Sequence, residues 1–131
     1  MSELICTIVT PEKTALDEPV DFVALPLYDG EIGIAPDHTP LIGRLGFGEM
    51  RLRKGDAVSR YYVDGGFVQV VDNRVAVLTS RAVPADQIDT EAAERQLREA
   101  LDQRPTTQDQ FELRDRLVAQ ARGQLRVARS G

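Results

Sequence analysis

The spacing of apolar residues changes type once along this chain of 131 residues, at Pro84. Before Pro84, short apolar runs are separated by turn residues, as in Glu49–Arg53, where apolar and charged residues alternate. A period of two is typical of half-buried β-strands. After Pro84, apolar residues recur every three or four positions, which is the spacing of amphipathic helices. The sequence therefore predicts a β domain at 1–84 followed by a helical part at 85–131.

About eight short strands are predicted in the first part, which favours a β-sandwich or a flattened barrel. They are Leu4–Thr10, Lys13–Leu16, Asp21–Leu25, Glu31–Ile34, Glu49–Arg53, Ser59–Val63, Phe67–Val71 and Arg74–Thr79. Asp72-Asn73 is expected to join the last two as a hairpin turn, because both residue types tolerate positive φ. Three nearby glycines, Gly43, Gly46 and Gly48, are interpreted as turns.

Two short helices joined by a tight loop are predicted in the second part. Pro105 cannot continue the first helix, because its ring clashes and it lacks an N–H. Asp89 is expected to cap the start of the first helix, and Thr107 with Gln110 fits a capping box for the second. Isolated helices of this length are marginal in water. The hairpin therefore has to pack on something, either the β domain or another protein chain.

Composition excludes several classes of partner. A net charge of −5 argues against nucleic acid, which needs a positive protein surface. No apolar run approaches the roughly 20 residues that span a bilayer, so no direct membrane insertion is expected. The start, Met1–Leu4, lacks the basic-then-apolar pattern of a signal peptide. Cys6 stands alone, which excludes an intrachain disulfide and favours a reducing compartment.

The sequence predicts no catalytic residues, no metal site, no nucleotide site and no cofactor. His38 is the only histidine, so sites with several histidines are excluded. Neither a phosphate-binding loop nor a Gly-x-Ser-x-Gly nucleophile elbow is present. Cys6 lies in the middle of a predicted strand and is interpreted as a small buried hydrophobe. An enzyme that used His38 with Asp37 or Asp64 would lack an aligned nucleophile.

Two clusters carry the most information. Gly30–Leu41 reads Gly-Glu-Ile-Gly-Ile-Ala-Pro-Asp-His-Thr-Pro-Leu, and Asp64–Val70 places paired glycines before an apolar strand, which suggests a bulge or a close backbone approach. In order and spacing, these clusters and the strand Val75–Leu78 resemble the epsilon subunit of F-type ATP synthases, called delta in mitochondria. The opening Ile8–Glu12 also fits the family pattern. The resemblance covers nearly the whole chain.

The resemblance implies a mainly β plus α fold, with an N-terminal ten-stranded β-sandwich followed by a C-terminal antiparallel two-helix hairpin. It implies a non-catalytic central-stalk rotor subunit that binds the gamma subunit and the c-subunit ring and couples ring rotation to ATP synthesis. Its place would be peripheral, on the cytoplasmic face of the bacterial inner membrane. A sodium-translocating variant fits equally, because the coupling ion is selected in the ring. The alternative is a stand-alone β-sandwich module for protein interaction.

The resemblance also assigns roles to individual residues. A ring-facing loop is implied at Gly30, Glu31, Ile32 and Gly33, with Glu31 as the contact and His38 as a neighbouring loop organiser. The alternative is that Glu31 is merely solvated and that His38 is structural.

A further implied role belongs to the hairpin, which would extend along gamma to the alpha and beta subunits and inhibit ATP hydrolysis. The candidate contacts of its second helix are Arg114, Arg116, Arg122 and Arg126. A solvated basic face near the helix C-terminus is the alternative. Some relatives bind ATP through Ile-Asp-x-x-Arg-Ala. Here the segment Ile88–Ala93 has Ala92 at the arginine position, so no ATP binding is predicted.

Overall fold

The structure is a computed structural model that describes residues 3–130. Met1 and Ser2, which belong to the predicted domain 1–84 and to the N-terminal segment interpreted above, lie outside the described residues, as does Gly131. Eight strands are described: β1 (Leu4–Val9), β2 (Thr14–Val20), β3 (Phe22–Leu27), β4 (Gly30–Ile34), β5 (Leu41–Lys54), β6 (Ala57–Val71), β7 (Arg74–Leu78) and β8 (Ala82–Pro84).

All eight strands belong to one hydrogen-bonded sheet. Its order is β2-β1-β7-β6-β5-β3-β4, and β8 pairs with β6. β1 and β7 run parallel, and the other described pairs are antiparallel. Alternate residues of β1, namely Leu4, Cys6 and Ile8, are buried in a core that all strands from β1 to β7 line. Because one sheet encloses one core, the sheet must curl over on itself.

The expected count of ten strands is not confirmed, because the structure has eight within residues 3–130. β5 and β6 are 14 and 15 residues long and stay paired without a register shift from Leu41↔Val70 to Lys54↔Ala57. Two predicted strands, Ser59–Val63 and Phe67–Val71, are therefore parts of β6. The Asp72-Asn73 turn is confirmed, with φ of 50° and 60°.

The interpretation of Gly43, Gly46 and Gly48 as turns is also wrong, because all three lie within β5. A Cβ at Gly43 would lie 3.1 Å from the Leu27 side chain, one at Gly46 3.1 Å from Leu27 O, and one at Gly48 3.2 Å from Pro26. The glycines therefore allow β3 to approach β5 closely. Sequence alone could not distinguish this close contact from a turn.

The helical hairpin is confirmed and lies on the β domain. After β8, a 3-10 turn (Ala85–Gln87) leads to α1 (Thr90–Asp102), and α2 (Gln108–Arg129) returns antiparallel to it and packs on β5 and β6. Asp89 accepts from Ala92 N at 3.0 Å, and Thr107 Oγ1 accepts from Gln110 N at 3.2 Å, so both predicted N-caps form. No helix within residues 3–130 is long and apolar enough to cross a membrane.

Candidate interaction surfaces

An open groove of about 1290 Å³ runs between α2 and the sheet and brings two of the predicted groups together. Gly30 and Glu31 line the sheet side of this groove. The helix side contains all four of the predicted arginines, Arg114, Arg116, Arg122 and Arg126. Ile32, Gly33 and His38 do not line it. The structure therefore joins the predicted ring-facing residue and the predicted basic face, which sequence reasoning had treated as separate sites.

The ring-facing loop expected at Gly30–Gly33 is a strand in the structure. Gly30, Glu31, Ile32 and Gly33 all belong to β4, which pairs with β3 from Leu27↔Gly30 to Val23↔Ile34. The turn that precedes β4 is made by residues 28 and 29. Because β4 is an edge strand, Glu31 is exposed on a regular surface rather than on a loop tip.

His38 lies beyond the far end of β4, in the connection to β5, and does not share a loop with Glu31. Its Nδ1 is 2.7 Å from Thr39 O, and because a carbonyl oxygen can only accept, Nδ1 carries the hydrogen. The same connection is fastened to the β6–β7 turn by Asp37 and Asn73. Asp37 N donates to Asn73 Oδ1 at 2.6 Å, and Asn73 Nδ2 donates to Asp37 Oδ1 at 3.0 Å.

Four charged side chains, here called the charge chain, run from β4 to the end of α2: Glu31, Arg51, Glu49 and Arg60. Arg51 donates to both oxygens of Glu31, at 2.8 and 3.3 Å, and to Glu49 Oε1 at 3.0 Å. Arg60 donates to Glu49 Oε2 through Nε at 2.9 Å and through Nη2 at 2.6 Å. Nη2 of Arg60 also donates to Val127 O in α2, at 2.7 Å.

Glu49 is the least exposed member of the charge chain, with a side chain that is 19% accessible. Burial alone would raise the pKa of the Glu49 carboxyl, but hydrogen bonds from Arg51 and Arg60 outweigh burial and hold that pKa below its ordinary value. The hydrogen bonds from Arg51 to Glu31 and Glu49 in turn raise the pKa of the Arg51 guanidinium. The charged forms of Glu49 and Arg51 are therefore the stable ones at neutral pH.

The basic face of α2 is largely unpaired. Arg114 is half-buried, lies 3.7 Å from the exposed Asp115, and has a buried Nε without a hydrogen-bond partner among the described residues. Arg116, Arg122 and Arg126 are exposed, and no described carboxylate forms an ion pair with them. These three guanidiniums are accessible to an external anion even while α2 lies on the sheet.

Asp64 connects the sheet to α2, a role that sequence reasoning missed. Its carboxylate accepts from the Tyr62 hydroxyl at 2.6 Å, from Ser80 Oγ at 3.0 Å and from Gln120 Nε2 of α2 at 3.3 Å. Tyr62 is fully buried, and burial followed by the bond to Asp64 raises the pKa of its hydroxyl well above the ordinary range.

Gly66, two residues after Asp64, cannot be replaced by a residue with a side chain without a clash, because a Cβ there would overlap Leu78 O. A close backbone approach was one of the two interpretations of Gly65-Gly66 from the sequence, and a bulge was the other.

Gly123 sets how closely α2 approaches the sheet. A Cβ at this position would lie 2.9 Å from Phe47 O and 3.1 Å from Tyr62 Cε1. Around it, one face of the second half of α2 is buried, including Ala121, Leu125 and Val127. A glycine in the middle of a helical pattern was the available signal for this contact.

An exposed apolar surface lies on the side of β5, β6 and β7 that faces away from the core, and it too was missed. We call it the outer apolar face; its members are Ile42, Phe67, Val71 and Leu78, which are 75%, 57%, 38% and 50% exposed. Phe67 and Leu78 are direct cross-strand partners. The signal in the sequence was the run Phe67–Val71, where apolar residues occupy both faces of the strand. Clustered exposed apolar side chains of this kind are typical of protein interaction sites.

Comparison with known proteins identifies related chains. The family model described as ATP synthase, Delta/Epsilon chain, beta-sandwich domain matches residues 3–85. The ATP synthase epsilon chain of Rhodopirellula baltica is 51% identical over 95% of this chain and 97% of its own length. That of Rubrobacter xylanophilus is 37% identical over 87% of this chain and 80% of its own.

Two solved structures share the fold. One is a chain of the Euglena gracilis mitochondrial ATP synthase in an assembly of OSCP, F1 and c-ring. It has a TM-score of 0.84 and 26% identity, and the match covers 98% of this chain and 82% of that one. The other belongs to the central stalk and c-ring of the Tetrahymena thermophila mitochondrial ATP synthase. Its TM-score is 0.76 over 95% and 96% of the two chains, and at 14% identity it supports the fold alone.

Proposed function

The chain belongs to the delta/epsilon chain family of ATP synthases, and on that premise we propose that it is a non-catalytic rotor subunit that couples rotation of a c-subunit ring to ATP synthesis. The observation that carries this proposal is the likeness to a chain of a solved F1 and c-ring assembly over almost the whole length, hairpin included. The ring is driven by protons in this proposal, and a sodium-driven ring would use this subunit in the same way because the coupling ion is selected in the ring. The subunit works from the cytoplasmic face of the bacterial inner membrane, as a peripheral part of the complex.

The outer apolar face is the surface that we assign to the gamma subunit. Ile42, Phe67 and Leu78 are each at least half exposed, and covering them with a partner removes apolar area from water. The face lies on rigid, paired strands, so binding requires little ordering of the backbone. All of these residues lie in the β domain. This location supports a division of the chain into a binding domain at 1–84 and a regulatory hairpin at 85–131.

Glu31 and Gly30, at one end of edge strand β4, are the residues that we assign to the c-subunit ring. Both are exposed, and Glu31 presents a carboxylate whose partner Arg51 is 40% accessible. His38 lies at the other end of β4 and is bonded to its own loop, so in this proposal it organises that loop and does not touch the ring with Glu31.

The hairpin is the part that we assign to regulation through the alpha and beta subunits. In the structure α2 lies on β5 and β6, so reaching these partners requires it to leave the sheet and extend. Arg116, Arg122 and Arg126 already lack ion-pair partners among the described residues, which suits them to an acidic surface of another subunit. Arg114 becomes available when the helix moves.

Co-expression with the gamma subunit from the same genome tests the central part of the proposal. We expect the two chains to elute together, and Phe67→Asp to abolish co-elution because it buries an unpaired charge in the interface. Val58→Asp is the matched control, because Val58 is 55% exposed but lies near the β5–β6 turn, outside the outer apolar face. Failure of the unaltered chain to bind gamma would favour the stand-alone interaction module.

Removal of residues 85–131 tests the regulatory part in the assembled enzyme. We expect ATP hydrolysis to rise when the hairpin is absent, while co-elution with gamma is retained. Unchanged hydrolysis would refute inhibition by the hairpin and leave the rotor role intact.

A further inference from the structure

The charge chain ends on a helix terminus. Val127 O is one of the last four carbonyls of α2, and such carbonyls have no N–H donor within the helix. Arg60 donates to this oxygen at 2.7 Å and so caps α2 from the sheet. A cation at a helix C-terminus also interacts favourably with the helix dipole. Arg60 is therefore a residue of the β domain that positions the end of α2.

Glu49 holds Arg60 in the capping position. Arg51 and Arg60 are direct cross-strand partners on β5 and β6, an arrangement in which like charges repel. Glu49 offsets this repulsion because its Oε1 accepts a hydrogen bond from Arg51 and its Oε2 accepts one from Arg60. The Glu49 carboxylate is thus shared between the two guanidiniums. A change in the hydrogen bonds that Arg51 makes therefore alters the strength of the bond between Glu49 and Arg60.

Glu31 competes with Glu49 for Arg51. Nη1 of Arg51 donates to Glu31 Oε2 at 3.3 Å and to Glu49 Oε1 at 3.0 Å. Ala24, the buried β3 residue opposite Arg51, is small enough for the arginine to reach across β3 to β4. When Glu31 is neutralised or bound by an outside cation, Arg51 has only Glu49 left, and Glu49 is drawn away from Arg60.

We propose that the state of Glu31 and the docking of α2 are energetically coupled through Arg51, Glu49 and Arg60. Engagement of Glu31 weakens the cap at Val127 O and favours release of the second half of α2. The physiological consequence rests on the proposed function, since there Glu31 contacts the ring and released α2 reaches the alpha and beta subunits. The coupling itself is a property of this chain alone and is tested without partners.

Native-state hydrogen exchange of the full chain measures the opening of α2 through the amides of its last turns. The Glu31–Arg51 pair is exposed, and exposed ion pairs contribute little free energy. We therefore expect Glu31→Gln to raise this opening only about threefold. Arg60→Met removes the cap with little change in length, and we expect it to raise opening about tenfold. In the double variant Glu31→Gln should have no further effect, because the connection to α2 is already broken.

The control is another ion pair of the hairpin, between Arg129 of α2 and Glu94 of α1, at 2.6 Å. Glu94→Gln also loosens α2, but it lies outside the charge chain, so its effect and that of Glu31→Gln should multiply independently. Amides of β1 and β7 report whether the β domain stays folded. If Arg60→Met unfolds it, Glu49→Gln interrupts the chain at a second point and decides instead.

Two outcomes would overturn the coupling: no effect of Glu31→Gln on α2, or the same factor with and without Arg60. Either result leaves gamma binding untouched, whereas loss of gamma binding with intact coupling would count against the proposed function only.

Discussion

Substitution of Gly123 by alanine is the sharpest test of how α2 is held. In most helices this change is stabilising, because alanine exceeds glycine in helix propensity by about 1 kcal/mol. Here the added Cβ would lie 2.9 Å from the backbone oxygen of Phe47, which cannot rotate away as a side chain can. The substitution therefore places two effects of opposite sign at one position.

The two effects oppose each other in the equilibrium between docked α2 and the released segment. The propensity gain of about 1 kcal/mol favours the docked helix, because the released segment is marginal as a helix in water. Overpacking against a backbone oxygen that cannot rotate away costs about 2–3 kcal/mol, the upper part of the usual range. The net loss of about 1–2 kcal/mol is expected to shift Gly123→Ala toward the released segment by roughly 5- to 30-fold.

Hydrogen exchange resolves this effect within one protein. Amides between Gln120 and Val127 should lose protection by that factor, while amides of β1 and β7 keep theirs. Arg122→Ala, an exposed change at the adjacent helix position, is the control and should leave protection nearly unaltered. Protection that stays constant or increases in Gly123→Ala would show that the helix accommodates a methyl group, and the close-approach argument would be wrong.

Four further predictions concern Asp64, Glu49, Cys6 and the binding of ATP. Asp64→Asn places an amide group among the donors of Tyr62, Ser80 and Gln120, so urea unfolding should show a loss of about 1–3 kcal/mol; no loss would mean that these bonds contribute little. Glu49→Gln should be less stable than the unaltered chain near neutral pH but not well below 4.5, the ordinary pKa. The folded carboxyl has a lowered pKa, so its contribution is present above the ordinary value and lost as pH falls through the folded one; a difference independent of pH would contradict this. Burial raises the pKa of the Cys6 thiol to about 12, so a thiol reagent near pH 8 should label it only after unfolding; labelling of the folded chain would refute it. Titration calorimetry with micromolar ATP should give no binding heat, because Ala92 stands where the resemblance places the arginine of ATP-binding relatives; a clear binding isotherm would overturn that prediction.

Local rules decided the parts of the fold that could be predicted from sequence. The Asp72-Asn73 turn, the two N-caps at Asp89 and Thr107, and the change from strand to helix at Pro84 depend on backbone preferences of residues close in sequence. The family pattern at Gly30–Leu41 then indicated a rotor subunit, because motif order and spacing are also properties of the chain itself.

Only the tertiary structure decided the features that depend on residues far apart in sequence. Gly46 lies against β3, and Gly123 lies against β5. A glycine within the helical pattern indicated a close contact at Gly123, but no residue near either glycine identifies the strand that it contacts. The charge chain connects Glu31 to Val127 O across four elements. Its members lie far apart in sequence, so no local sequence pattern indicates that they interact. Sequence fixes what each residue prefers locally, but burial and pairing arise from packing, which is why the resting place of α2 and its connection to Glu31 had to be seen in three dimensions.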